Sequence, residues 1–183
     1  MVEKGRVRLR TPEYYRRWEN TLLGDPNDGK GLYHLGGHPL QTDSGNDVYV
    51  WCFSLPTITH DRMLQLAREG SYTCVLVVDA PEEFFRRVRD WLSAHHSGYQ
   101  LHCGRVTYDR GEHVTKKAAN AQKFHFNIFQ KAPKFQDDSE YRMLITNATF
   151  VWRIEDYLDL EVGSCSAIMS IRALPIPTRE QTP

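Results

Sequence analysis

A chain of 183 residues is long enough for one domain with a real core, and 25% charged with 40% hydrophobic residues is an ordinary globular composition. Its 23 basic residues balance its 23 acidic ones, which argues against a protein built mainly to coat nucleic acid or an anionic membrane. No stretch approaches the roughly 20 apolar residues of a membrane helix, and "MVEKGRVRLR" holds no apolar run for a signal peptide. The four cysteines form no C-x-x-C pair, so reduced thiols, a cytoplasmic location and no membrane partner are expected.

"RVRLRT" alternates and reads as a first strand. Thr11 and Pro12 then read as the cap and first position of a helix, "PEYYRRWENTLL". Gly24 to Asp47 carries turn signals without a period and reads as a long loop, functional or mobile. "VYVWCFS" is a buried strand, with Cys52 as a small core side chain, and "YTCVLVVD" is a second, with Cys74 in the same role. Between them lies "THDRMLQLAREG", a helix with Thr59 as cap and Gly70 as stop. "APEEFFRRVRDWLSAHH" is an amphipathic helix whose stripe is Phe84, Phe85, Val88, Trp91 and Leu92.

"LHCGRVTYD" reads as another strand. The stretch from Arg110 to Pro133 is ambiguous, since "AANAQKFHFNIFQ" suits a helix while "FHFNIF" alternates. "EYRMLITN", "ATFVWRI" and "YLDLEVG" read as three strands, and "SAIMSIRAL" as a short helix or strand. With strands clustered late, the class is α+β: a mixed, mainly antiparallel sheet with two or three flanking helices. One domain would span 1–175, with a flexible tail over 176–183.

The motif order resembles a bacterial family of domains of unknown function. That family has an Asn-Asp-Pro loop, a strand ending Cys-Phe-Ser, a Val-x-Tyr strand and an acidic Glu-x-Glu-x-Arg segment. The matching stretches are "DPNDG" (Asp25 to Gly29), "WCFS" (Trp51 to Ser54), "GRVTYD" (Gly104 to Asp109), "KFQDDSEYR" (Lys134 to Arg142) and "LEVGSCSAI" (Leu160 to Ile168). The loop here reads Asp-Pro-Asn-Asp, and Asp138-x-Glu140 stands where the family often has two glutamates.

The chain is also similar, more loosely, to ADP-ribosyltransferases of the Arg-Ser-Glu type, in which an arginine on an early strand, a serine-ended strand and an acidic pair follow in order. Arg8 or Arg10, then Ser54, then Asp138-x-Glu140 fit that order. This resemblance implies an ADP-ribosyltransferase-like fold with NAD as substrate, in a bacterial toxin, phage-related protein or defence effector. Breaking the nicotinamide–ribose bond gives the sugar oxocarbenium character, which a fixed carboxylate, Glu140, would stabilise. Asp138 would position a protein or nucleic-acid acceptor. An arginine fork suits the pyrophosphate. Ser54 would hold the ribose or the strand geometry, and Tyr33 or Tyr141 would stack on nicotinamide. In a His-Tyr-Glu variant, His34 beside Tyr33 replaces the arginine.

Plainer readings stand beside these. Acidic residues before a strand commonly form a solvated turn, which covers Asp137, Asp138 and Glu140. Ser54 at a strand end is commonly a turn residue. Arg8 and Arg10 alternate with Val7 and Leu9 as on any half-exposed strand. No metal site is expected from "HLGGH". The alternative function is a non-catalytic interaction module (an immunity, adaptor or inhibitor protein) with Tyr14, Tyr15 and Trp18 as interface candidates and a protein partner.

Overall fold

Alternation decides the first strand. In β1 (Arg6–Arg10), Val7 and Leu9 are fully buried while Arg6 and Arg8 are exposed. Thr11 then caps α1 (Pro12–Trp18), its Oγ1 accepting from the Tyr14 amide at 3.2 Å. The computed structural model describes residues 2–18, 24–35, 38–44, 48–109, 127–147 and 155–174. The expected strand "ATFVWRI", the expected tail and most of the ambiguous stretch lie outside them, as does the end of the first helix.

The expected loop from Gly24 to Asp47 instead contains a hairpin, β2 (Lys30–Leu35) paired with β3 (His38–Asp43). A two-stranded ribbon is held by backbone bonds, so its residues need not alternate in polarity.

β4 (Val48–Ser54) forms as expected. α2 (His60–Gly70) is capped by Thr59, whose Oγ1 accepts from the Arg62 amide at 3.2 Å. The left-handed residue that stops it is Ser71 at φ 56°, not Gly70. A Cβ at Gly70 would lie 2.1 Å from the Tyr72 ring, an exposed side chain with room to move aside. β5 (Cys74–Val78) is half-buried instead of buried. It pairs with β9 (Met169–Ala173) in a separate ribbon, which makes the "SAIMSIRAL" stretch a strand.

α3 (Pro81–His95), β6 (Tyr99–Arg105), β7 (Glu140–Asn147) and β8 (Tyr157–Glu161) complete the regular elements. The main sheet runs β6–β7–β4–β1–β8, antiparallel throughout, so the class is α+β. Phe84, Val88 and Leu92 of α3 are buried against the face built by Val7, Leu9, Tyr49, Met143, Ile145 and Leu160. Each such burial stabilises by about 1.5–3 kcal/mol. No helix among the described residues is long and apolar enough to cross a membrane. All four cysteines are free, and Cys52 and Cys74 are exposed where core positions were expected, leaving Cys165 as the buried one.

The sheet is not joined evenly. β4 meets β7 at seven residue pairs from Val48↔Thr146 to Ser54↔Glu140. β1 meets β8 at five, from Arg6↔Glu161 to Arg10↔Tyr157. Between β1 and β4 only Arg10↔Val50 is in register. The two halves therefore part on the Arg6 side of that pair, toward Ser54.

Candidate functional site

Strand alternation assigns side chains to faces. The register puts Val48, Val50, Cys52 and Ser54 of β4 on one face with Thr146, Leu144, Arg142 and Glu140 of β7. Arg10, opposite Val50, brings Arg8 and Arg6 to the same face. α3 covers the other face, so this one is left to shorter segments.

Those segments converge on Arg142, which is 1% exposed. Its Nη1 and Nη2 donate to the two carboxylate oxygens of Asp28 at 2.7 and 2.9 Å, and Nη1 also to the Ile128 carbonyl at 2.5 Å. Its Nε donates to Glu140 Oε2 at 2.8 Å. Lys131 Nζ donates to Glu140 Oε1 and lies 3.9 Å from Asp138. Arg62 of α2 donates from Nε to Asp138 Oδ1 at 2.8 Å. Three cations, Arg62, Lys131 and Arg142, thus balance Asp28, Asp138 and Glu140 in an almost closed interior. A buried charge persists only when paired and hydrogen-bonded, and each of these is.

Local chemistry presents each member. The Asn27 amide donates to Asp25 Oδ1 at 3.0 Å, and Gly29 takes φ 72°, so "DPNDG" turns tightly and aims Asp28 at Arg142. Arg16 of α1 secures that turn through the Asp28 carbonyl and through Asp43 at 2.7 Å. The Glu140 amide donates to the Tyr108 hydroxyl at 2.6 Å. Lys131 is pinned by its own amide, which donates to the Thr107 carbonyl at 2.9 Å. Pro133–Asp138 forms a 3-10 helix, and Ser139 at φ 49° turns the chain into β7.

The solvated-turn reading of the acidic stretch therefore holds for Asp137 alone. Asp138 and Glu140 are buried at 4% and 8% exposure. Burial pushes Asp138 above its ordinary carboxylate range, although Arg62 and Lys131 oppose it. Burial also opposes ionisation of Glu140, but Arg142 and Lys131 outweigh it and hold that carboxyl below its usual range. Glu140 is thus a fixed, ionised carboxylate. A carboxylate has about four acceptor sites, so two cationic partners leave capacity for further donors.

Of the other expected residues, Ser54 is exposed and is the direct register partner of Glu140. Arg8 and Arg10 share their face, across the parting. Arg8 is engaged by Asp159, with Nε–Oδ1 and Nη2–Oδ2 both at 2.7 Å, and it stacks on Tyr157 at 4.1 Å. Arg10 stacks on Tyr14 at 4.2 Å and lies 5.3 Å from the centre of Tyr157. Tyr141 is not brought to the site. It lies on the opposite face, 6.0 Å from Phe85 and beside an open hollow of about 410 Å³ with Leu101 and Cys103. Tyr33 and His34 sit in β2 opposite Leu40 and Pro39, and their side chains fall outside the described residues. Cys52 keeps accessible surface, yet it is crowded enough that lost hydration pushes its thiol up to about 12, with Arg142 opposing. That direction favours the neutral thiol and gives no sign of an activated nucleophile.

Four of the five singled-out stretches meet at this cluster, through Asp28, Ser54, Tyr108 and the Asp138–Glu140–Arg142 run. The fifth, "LEVGSCSAI", packs elsewhere, with the Ser164 carbonyl accepting from Arg87. Sequence reasoning missed Asp28, Arg62, Tyr108 and Lys131 as members. Only Glu140-x-Arg142, two residues on one strand face, carried a readable signal for Arg142. No protein-family model, curated protein or solved structure matches the chain.

Proposed function

We propose that this face binds NAD and cleaves its nicotinamide–ribose bond, as an ADP-ribosyltransferase or NAD glycohydrolase. One observation carries the reading: Ser54 and Glu140 are register partners, and the arginine row of β1 faces the same side across the place where the sheet parts. In that reaction the ribose C1′–nitrogen bond breaks and its electron pair leaves with nicotinamide. The ionised Glu140 stabilises the positive charge left on the sugar and orients its hydroxyls. Ser54, about 5 Å away across the strands, is placed for a ribose hydroxyl. The carbocation is then captured by water or by an acceptor nucleophile, which gives up its proton.

The test is nicotinamide release from NAD by wild type, Ser54→Ala and Glu140→Gln. Wild type should release nicotinamide, Glu140→Gln should lose on the order of a hundredfold in rate, and Ser54→Ala a smaller factor. Because Glu140 also holds Lys131 and Arg142, Ser54→Ala, outside that network, is the variant free of folding damage. A wild type that neither binds nor consumes NAD sinks the reading.

A second reading, a non-catalytic interaction module, is favoured by the same network, since its charges balance without any ligand. Affinity capture from native lysate tests it, and absence of any stoichiometric partner counts against it.

A further inference from the structure

Main-chain hydrogen bonds alternate in direction along an antiparallel strand, as side chains do. Just past the two ends of the β1–β8 register, the Val162 amide donates to the Gly5 carbonyl at 2.9 Å and the Thr11 amide to the Asp156 carbonyl at 3.2 Å. Gly5, Val7, Leu9 and Thr11 therefore aim their main-chain groups at β8, and Arg6, Arg8 and Arg10 aim theirs at β4. One step beyond Ser54↔Glu140, the Leu55 amide donates to the Ser139 carbonyl at 2.8 Å. Tyr49, Trp51 and Phe53 therefore aim their main-chain groups at β7, and Val50, Cys52 and Ser54 aim theirs at β1.

Both strands thus carry the groups for a longer ladder. After Arg10↔Val50, Arg8 would meet Cys52 and Arg6 would meet Ser54, yet neither pair is in register. The main-chain N–H and C=O groups of Arg6, Arg8, Cys52 and Ser54 have no ladder partner among the described residues, and all of these residues are exposed. Open strand edges normally lie at the rim of a sheet, where they template pairing with another chain. Here two such edges line one slot inside the sheet, about 13 Å long from Arg10 to Arg6.

We infer that this slot takes an extended segment of a second protein as an added strand, about four residues long, with acidic and apolar side chains in alternation. Side chains of the added strand that fall level with Arg6 and Arg8 lie on the face of those arginines. There Arg6, Arg8 and Arg10 outnumber Asp159 and Glu161 of β8, which favours acidic side chains. The intervening side chains lie on the other face, toward Trp51 and Phe53. Those rings are partly buried and pack on Phe84, with centroids 5.2 and 6.3 Å from it, so apolar side chains suit that side. The inference rests on main-chain geometry and not on the NAD reading. It gives the interaction-module reading a place and a partner chemistry.

The experiment uses a short fluorescent peptide in which glutamate and valine alternate. Its controls are the same residues arranged in two blocks, and the alternating peptide with every second amide methylated. Anisotropy reads binding, and hydrogen exchange followed by NMR reads individual amides of the protein. In the free protein, the amides of Arg6, Arg8, Cys52 and Ser54 should exchange faster than those of Val7, Leu9, Trp51 and Phe53. The alternating peptide should bind and slow the exchange of those open amides. The methylated peptide should bind roughly tenfold or more weakly, since it cannot complete the main-chain bonds, and the block peptide should also bind more weakly. Equal binding of all the peptides would reduce the contact to charge attraction and overturn the inference. So would slow exchange of the open amides in the free protein, or protection that appears on concentrating the protein alone, which would make the occupant a second copy. Peptide binding without NAD consumption keeps the slot and removes the NAD reading. NAD consumption without peptide binding keeps that reading and removes the slot.

Discussion

Arg142 and Arg8 make the same bond, a two-pronged contact with one aspartate, in opposite surroundings. Arg142 and Asp28 are 1% and 11% exposed in their side chains, whereas Arg8 and Asp159 are 41% and 18% exposed. Water competes for the second pair and is excluded from the first. The buried pair therefore matters by what its loss strands, and the surface pair by little more than its own weak attraction. Geometry alone does not rank the two, but burial does. The same contrast separates fixed machinery around Glu140 from the accessible arginine row.

The largest effect should come from Arg142→Ala. It leaves Asp28 and Glu140 as buried carboxylates without their main partner and frees the Ile128 carbonyl. Unfolding in urea should show a loss of about 3–5 kcal/mol. A loss near that of a surface mutation would mean that water enters the network and that the contrast fails.

The smallest should come from Asp159→Asn, at no more than about 1 kcal/mol near neutral pH. Its pH dependence sharpens the point. Hydrogen bonds from Arg8, then Arg6, hold the Asp159 carboxyl down to about 2 from an ordinary 3.8. A depressed carboxyl contributes stability that is complete above the unfolded value and is lost as pH falls through the folded one. The urea midpoints of wild type and Asp159→Asn should therefore differ slightly above about pH 4 and converge by about pH 2. Glu140 has the same sign, lost in acid, while Asp138, raised by burial, has the opposite sign and is better accommodated protonated.

Much of the fold was legible. The period-2 pattern of Val7 and Leu9 placed β1, the apolar run "VYVWCFS" placed β4, and the stripe from Phe84 to Leu92 gave α3 with its buried face. Thr11 and Thr59 marked two helix starts. The β2–β3 hairpin was not legible, because its pairing is a backbone matter and Gly31 and Pro39 read as loop. The location of β5 was not either, since an apolar run does not say which strand it will join.

For the site, chain order brought out Ser54, Asp138, Glu140 and the arginines of β1, and these share one face or its rim. Alternation already separates Tyr141 from Glu140, because adjacent residues of a strand face opposite sides. The network itself was hidden for a different reason. Asp28 and Arg142 are 114 residues apart, and no local pattern encodes a contact at that range. Lys131 fell in the ambiguous stretch from Arg110 to Pro133, and only its pinned backbone turns it inward.

The most direct measurement of the central claim, that the parted face takes NAD, is a thermal-shift titration with NAD. A ligand that binds the native state must raise its stability, by about 2.7 kcal/mol at a hundredfold excess over Kd. The melting temperature should climb with NAD concentration in wild type and climb less in Arg10→Gln. A flat wild-type curve up to millimolar NAD would contradict it.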